Sequence, residues 1–264
     1  MTTEPIESNA RSNPSPLLRC IDITKRFGGI IAVNHVSLDI FTNEVVGIVG
    51  DNGAGKSTLI NVISGVYPPN EGHILIGGET VTFSSPMDAR RIGIETIYQD
   101  LALCNNLGAA DNIFLGRELM KPNGKFFELL DREKMRSEAE KILDELDIRI
   151  PGLQRPIRQL SGGQRQAVAI SRSVYWNAKL LIMDEPTAAL GVPEQRKVYE
   201  IVGTLKDRNV PVIIISHNMR DVFAVADRII VMRRGYKVAD LKAKDSSEEE
   251  VVGFIVGKNS RKAK

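Results

Sequence analysis

Three short, unbroken apolar runs set the class of this chain. Val45–Val49 (VVGIV), Leu180–Asp184 (LLIMD) and Val212–Ser216 (VIIIS) are too short for core helices and do not alternate, so each reads as a strand buried on both faces. Pro193–Asn209, between the second and third, is patterned as a helix, and strand–helix–strand order argues for parallel pairing in an α/β core. Directly after the first run, Lys56–Gly65 sets Leu59, Ile60, Val62 and Ile63 on one face of a helix. Earlier, Leu17–Thr24 and Ala32–Ile40 read as strands. His73–Ile76 and Glu79–Phe83 read as a hairpin across Gly77–Gly78.

From about residue 100 to 177 the pattern turns helical, with Met135, Ala139, Ile142, Leu143 and Leu146 at helical spacing within Asp131–Leu146. This block is predicted to be inserted in the α/β core. Arg228–Met232 and Tyr236–Asp240 follow as strands, and Ser246-x-x-Glu249 is predicted to cap a terminal helix. Residues 1–16, rich in Ser, Asn and Pro, read as a disordered leader. One domain is expected over 17–257, with a basic tail over 258–264.

Composition narrows the choice of partners. Among 264 residues, 35 Lys and Arg stand against 33 Asp and Glu, so no global field favours nucleic acid. The two cysteines, Cys20 and Cys104, have no metal-like spacing and suit a reducing compartment. No apolar run approaches the ~20 residues that cross a bilayer, and the first residues lack the pattern of a signal peptide. A membrane role would need a separate partner.

The candidate chemistry sits at the ends of the apolar runs. Gly50-x-x-x-x-Gly55-Lys56-Ser57 follows a buried strand and precedes a helix, the context a phosphate-binding loop requires. Glycines let successive N–H groups turn toward phosphate oxygens, and the helix N-terminus adds partial positive charge. Lys56 would reach the β- and γ-phosphates and the Ser57 hydroxyl would ligand Mg²⁺. An ordinary glycine-rich turn is the bland alternative, and the strand–loop–helix context disfavours it. Asp184 closes a buried strand where ligands of open α/β sheets bind, placed to hold Mg²⁺ through water, and Glu185 is placed to polarise an attacking water. Acids often close strands for structural reasons, but the neighbouring phosphate loop makes that the weaker reading. Leu160–Gln164 (LSGGQ) precedes a helical run over Arg165–Tyr175, and Ser161-x-x-Gln164 is a capping box whose glycines leave backbone N–H groups open to an anion. Alone, it would be a well-capped helix.

GDNGAGKST, LSGGQRQAVAISR, LLIMDEPTAAL and IISHN, in that order, resemble the ATP-binding subunit of an ABC transporter from about Leu17 to Gly257. ITKRFGGIIAVNHVSLDI, Gly116–Glu118 and EPTAALGVPE resemble the simple-sugar uptake branch, most nearly its single-domain fructose import ATP-binding proteins. The resemblance implies a P-loop NTPase core of ABC type with an antiparallel β subdomain and the helical insertion. It implies that Gly50, Asp51, Asn52, Gly53, Ala54, Gly55, Lys56, Ser57 and Thr58 contact ATP, as do Ser161, Gly162, Gly163 and Gln164. Phe27 matches the aromatic that stacks on adenine, Gln99 the glutamine touching Mg²⁺ and the attacking water, and His217 the histidine on the γ-phosphate. Glu185, His217, Gln99 and Lys56 thus form the implied catalytic set, with Ser57, Gln99 and Asp184 around the metal. His35, His73 and Trp176 read as structural.

Because the phosphate loop and LSGGQ occur once each, the resemblance implies that two copies sandwich two ATP molecules head to tail. The implied partners are an integral-membrane permease and, indirectly, a periplasmic or extracellular sugar-binding protein. The implied place is the cytoplasmic face of the bacterial inner membrane. Two departures stand out: Ala188-Ala189-Leu190-Gly191 replaces the family's S-A-L-D, and one cassette is present where many relatives carry two. A soluble, non-transport ABC ATPase is the competing class. DNA-repair members need long coiled coils, translation members usually carry paired cassettes, and Glu185 with His217 argues against a non-hydrolysing module.

Overall fold

The computed structural model describes residues 15–121, 129–188 and 190–258. Most of the expected leader, all but Lys258 of the basic tail, and Ala189 lie outside the described residues.

Two sheets organise the chain. The first is antiparallel, with β1 (Leu18–Phe27), β2 (Ile30–Ile40), β4 (Glu71–Ile76) and β5 (Glu79–Val81) in the order β2-β1-β4-β5. The second runs β10-β9-β3-β8-β7-β6, built from β3 (Val45–Val49), β6 (Ile94–Ile97), β7 (Leu180–Asp184), β8 (Val212–Ile215), β9 (Arg228–Arg233) and β10 (Tyr236–Lys242). Its five neighbours from β9 to β6 pair in parallel, and only β10 is antiparallel. The unbroken apolar runs are its central strands, as sheets covered on both faces require.

Alternation along these strands feeds separate cores. Val46, Ile48, Leu180, Ile182, Ile213 and Ile215 pack toward the first sheet, α1 (Lys56–Ile63) and Ala89 of α2 (Pro86–Arg91). Val45, Leu181, Met183, Val212 and Ile214 face the other way, onto α5 (Gly162–Tyr175) and α6 (Val192–Asp207). The helical segment continues that second core: Phe114 of α3 (Ala109–Phe114) and Met135, Ile142 and Leu143 of α4 (Arg132–Glu145) join it without a break. Trp176 belongs here too, donating through Nε1 to Ile113 O at 3.2 Å. Helices α7 (Met219–Val225) and α8 (Glu248–Val256), on either side of β9 and β10 in the chain, close a third cluster around Val222, Val231 and Phe254.

The terminal helix corrects one expectation. Its cap is Ser247, which accepts from Glu250 N, and not Ser246, whose hydroxyl donates to Lys242 O at 2.9 Å. Two adjacent serines each stand three residues before a glutamate, so the local pattern is degenerate. The preceding strand decides between them.

Candidate active site

In a parallel sheet, the C-terminal ends of neighbouring strands lie along one edge, where ligands of open α/β folds bind. Here β3, β8, β7 and β6 stand side by side and are followed by Gly50, His217, Glu185 and Gln99 respectively. Four segments distant in sequence are thereby brought to one edge.

The loop after β3 turns through glycines. Gly50, Gly53 and Gly55 have φ of 153°, 79° and 98°, and Gly55 caps α1 directly. A Cβ on Gly55 would run into the carbonyl of Ala32 on β2, so this glycine is required by conformation and by space. Lys56 is 8% exposed and folds back over the loop, donating to Gly50 O at 2.7 Å and Asp51 O at 3.0 Å. Burial lowers its pKa from the usual lysine value, while Glu185, Asp184 and Asp51 partly restore it. Its ammonium therefore faces the acids at the end of β7.

Those acids stand next to one another in the chain. Burial and the adjacent Glu185 raise the Asp184 pKa, and Lys56 opposes the rise. Glu185 lies in the left-handed region at φ 50°. Its carboxylate accepts from His217 N at 3.0 Å, stands 2.8 Å from His217 Nδ1, and accepts from Ser216 Oγ at 3.4 Å. The imidazole is otherwise open, with 71% of its side chain exposed against 16% for Glu185. Gln99 and Glu185 line one cavity of about 280 Å³ together with Gly162, Arg165 and Gln166.

The LSGGQ segment starts α5 as its capping box requires: Gln164 N donates to Ser161 Oγ at 3.3 Å and Ser161 N to Gln164 Oε1 at 3.0 Å. Its glycines answer a packing demand. A Cβ on Gly162 would lie 2.7 Å from Leu190 Cδ2, and one on Gly163 would lie 2.8 Å from Glu194 Cγ. Ser161, Gly163 and Gln164 line a separate hollow of about 210 Å³ with Glu194 and Lys197. No hydrogen bond among the described residues joins Ser161–Gln164 to Gly50–Thr58.

At the far end, Phe27 closes β1 and is 43% exposed. Sequence reading missed its neighbours. Tyr67 stands edge-on with ring centroids 5.2 Å apart, and Lys25 Nζ lies 5.4 Å from the Phe27 ring. It also missed Arg233 and Arg234, which share a hollow of about 520 Å³ with Asp51, Asn52, Gly53 and Ala54. His35, read as structural, stands 3.1 Å from Asp22 at the surface. Lys25 and Phe27 are two apart on β1 and share a face, whereas the sequence held no signal for the other pairings, since each joins separate elements.

Comparison with known proteins agrees with this geometry. The ABC transporter family profile matches residues 33–188. The fructose import ATP-binding protein FrcA of Rhizobium meliloti is 45% identical over 92% of this chain and 94% of its own length. The xylose/arabinose import ATP-binding protein XylG of Sulfolobus acidocaldarius is 48% identical over 92% and 97%. Among solved structures, the ADP conformation of the cassette MJ1267 superposes with a TM-score of 0.79 at 29% identity, over 92% of this chain and 99% of that one. The dimeric, post-hydrolysis cassette MJ0796 bound to ADP and Pi gives a TM-score of 0.70 at 26% identity, over 86% and 98%. The chain belongs to the ABC transporter family and is one of its ATP-hydrolysing cassettes.

Proposed function

We propose that this chain energises an ABC importer for a simple sugar, with a monosaccharide such as fructose as cargo. The observation that carries the chemistry is the alignment of Gly50–Ser57, His217, Asp184–Glu185 and Gln99 along one sheet edge. The sugar reading rests on the relatives, whose names include fructose and xylose/arabinose at similar identity, so they support the class of cargo more strongly than one sugar.

In this reading residues 17–257 act as one ATPase domain. Phe27 stacks on adenine, and the N–H groups of Gly50–Thr58 surround the phosphates. Lys56 exchanges its carbonyl partners for phosphate oxygens. Ser57, Asp184 and Gln99 offer the hard oxygen donors that Mg²⁺ prefers. The raised Asp184 pKa fits as well: burial and the adjacent Glu185 push it up, Lys56 opposes them, and a bound cation would favour the ionised carboxylate. When bound, Mg²⁺ would neutralise charge on the β- and γ-phosphate oxygens. Glu185 polarises the attacking water, and His217, held beside it, contacts the γ-phosphate.

Ser161–Gln164 then serves the ATP of a second copy, which explains why it makes no hydrogen bond to the chain's own phosphate loop. The MJ0796 dimer supports this arrangement. ATP joins the halves, hydrolysis parts them, and the movement passes through the Gln99 segment and the helical block to a permease. A sugar-binding protein outside the membrane delivers the cargo. Among the described residues no helix is long and apolar enough to cross a bilayer, which fits peripheral attachment at the cytoplasmic face of the inner membrane.

Replacing Glu185 with Gln tests the catalytic assignment. Turnover should fall by about 100-fold or more, as for loss of a positioned base, while ATP binding persists and an ATP-dependent dimer accumulates in light scattering. Rapid turnover by that variant would sink the assignment. Growth of a deletion strain on a panel of sugars tests the cargo.

A further inference from the structure

Behind the catalytic edge lies a carboxylate that none of these roles uses. Asp221 on α7 is 4% exposed. Its Oδ2 accepts from Thr187 Oγ1, and its Oδ1 accepts from the Tyr199 hydroxyl at 2.6 Å and from Asn218 Nδ2 at 2.9 Å. All three donors are neutral, and they come from three places: the loop just beyond Glu185, helix α6, and the residue after His217. Burial and Asp221 itself raise the Tyr199 pKa, so that phenol stays protonated and donates.

These contacts close a ring. Glu185 Oε2 accepts from Ser216 Oγ, Ser216 Oγ accepts from Asn218 N at 3.1 Å, and Asn218 donates its amide to Asp221. Asp221 in turn accepts from Thr187, two residues along the chain from Glu185. The ring encloses a strained residue. Glu185 holds φ at 50°, in the left-handed region that a Cβ disfavours. Its N–H is fixed to Ile215 O at 2.9 Å on one side, and Thr187 is fixed to Asp221 on the other.

We propose that Asp221 is a positioning residue for ATP hydrolysis. It clamps the Glu185–Thr187 turn to the His217–Asn218 turn, so that the base and the γ-phosphate contact keep one relative geometry. The proposal rests on the reading of Glu185 as the group that activates water. Asp221 is buried, and its carboxylate is bound to Thr187, Tyr199 and Asn218, so it acts only through the turns they belong to.

The test is a double-mutant cycle. Asp221→Ala and Asp221→Asn are made with Glu185 present and with Glu185→Gln, and kcat, ATP affinity and melting temperature are measured for each. With Glu185 present, Asp221→Ala should lower kcat about tenfold or more with ATP affinity within about threefold, and Asp221→Asn, which keeps one acceptor oxygen, should lose less. In the Glu185→Gln chain, Asp221→Ala should change the residual rate by less than about twofold, because the group it positions is gone. An equal loss in both backgrounds, or full turnover by Asp221→Ala below its melting temperature, overturns the positioning role. Should Asp221→Ala not fold, Thr187→Val cuts only the link to the catalytic turn and must show the same non-additivity; additive losses there overturn the proposal equally. Full activity of the single Glu185→Gln variant would instead overturn the reading of Glu185, and the positioning role with it.

Discussion

Gly50, Gly53 and Gly55 all hold positive φ, whereas Gly162 and Gly163 do not. The first three are glycines because the backbone turns where a side chain is disfavoured. The other two are glycines because Leu190 and Glu194 occupy the space a Cβ would need. Both elements read as phosphate-contacting, glycine-rich and at a helix start, yet one is specified by conformation and the other by packing. The phosphate loop also carries its own cation and faces its own acids. The LSGGQ start is closed by its own capping box, with Ser161 and Gln164 each accepting from the other's N–H.

Conformation should be the harder demand to evade. In Gly55→Ala, φ of 98° and the Ala32 carbonyl act together, so a loss of about 3 kcal/mol or failure to fold is expected, along with ATP binding. Nucleotide titration and thermal melting read both, and no side-chain truncation should rescue it because the obstacle is backbone. Gly162→Ala should cost about 1–3 kcal/mol as overpacking against the tip of Leu190, leaving ATP binding by the single subunit unchanged. Adding Leu190→Ala should restore the melting temperature. A clash that persists without Leu190 would show that Gly162 answers a demand other than packing, and the contrast would fail.

The smallest effect concerns charge. Because burial and Glu185 raise the folded pKa of Asp184, its contribution to stability is present at low pH and lost as pH rises through that value. Near neutrality the ionised carboxylate is a cost in the nucleotide-free protein. Asp184→Asn should therefore raise the nucleotide-free melting temperature by about 2–4 °C, the size expected for roughly 1 kcal/mol in a chain of this length. The gain should vanish below the ordinary Asp range near pH ~3.9, and Mg-ATP should stabilise the variant less than the parent. A variant that melts lower at neutral pH would show that the loop's charges are already balanced.

The central strands β3, β7 and β8 and both glycine-rich elements were legible because continuous apolar runs and fixed spacings are strong local signals, whereas β6, with Glu95 and Thr96 between its two isoleucines, carries no such run. Helices α3 and α7, of six and seven residues, are too short to show a period. The order of the second sheet was not legible either, since nothing in VVGIV states that its neighbours are Val212–Ile215 and Arg228–Arg233. The Tyr67–Phe27 contact and the three donors around Asp221 follow from tertiary placement alone. Asn218 also caps α7, its Oδ1 accepting from Arg220 N at 3.1 Å. Gly191, where the family has aspartate, holds an ordinary φ, and the tip of Glu194 lies 2.7 Å from where its Cβ would be. The glycine there leaves room for a carboxylate brought by the next helix.

The phosphate loop is synthesised early but completed late. Gly235 donates to Ala54 O at 3.0 Å and accepts from Asn34 N at 2.8 Å, and Asn34 also reaches the hydroxyl of Tyr236, 202 residues away. A growing chain on the ribosome therefore carries the loop for on the order of ten seconds or more before its brace exists, and for most of that time β3 lacks both of its neighbouring strands. Until then the emerging segment has no rigid nucleotide site and exposes the apolar edges of an unpaired strand. A chain stalled before Gly235 is expected to be cleaved by protease faster than the full chain, which limited proteolysis of the two would test.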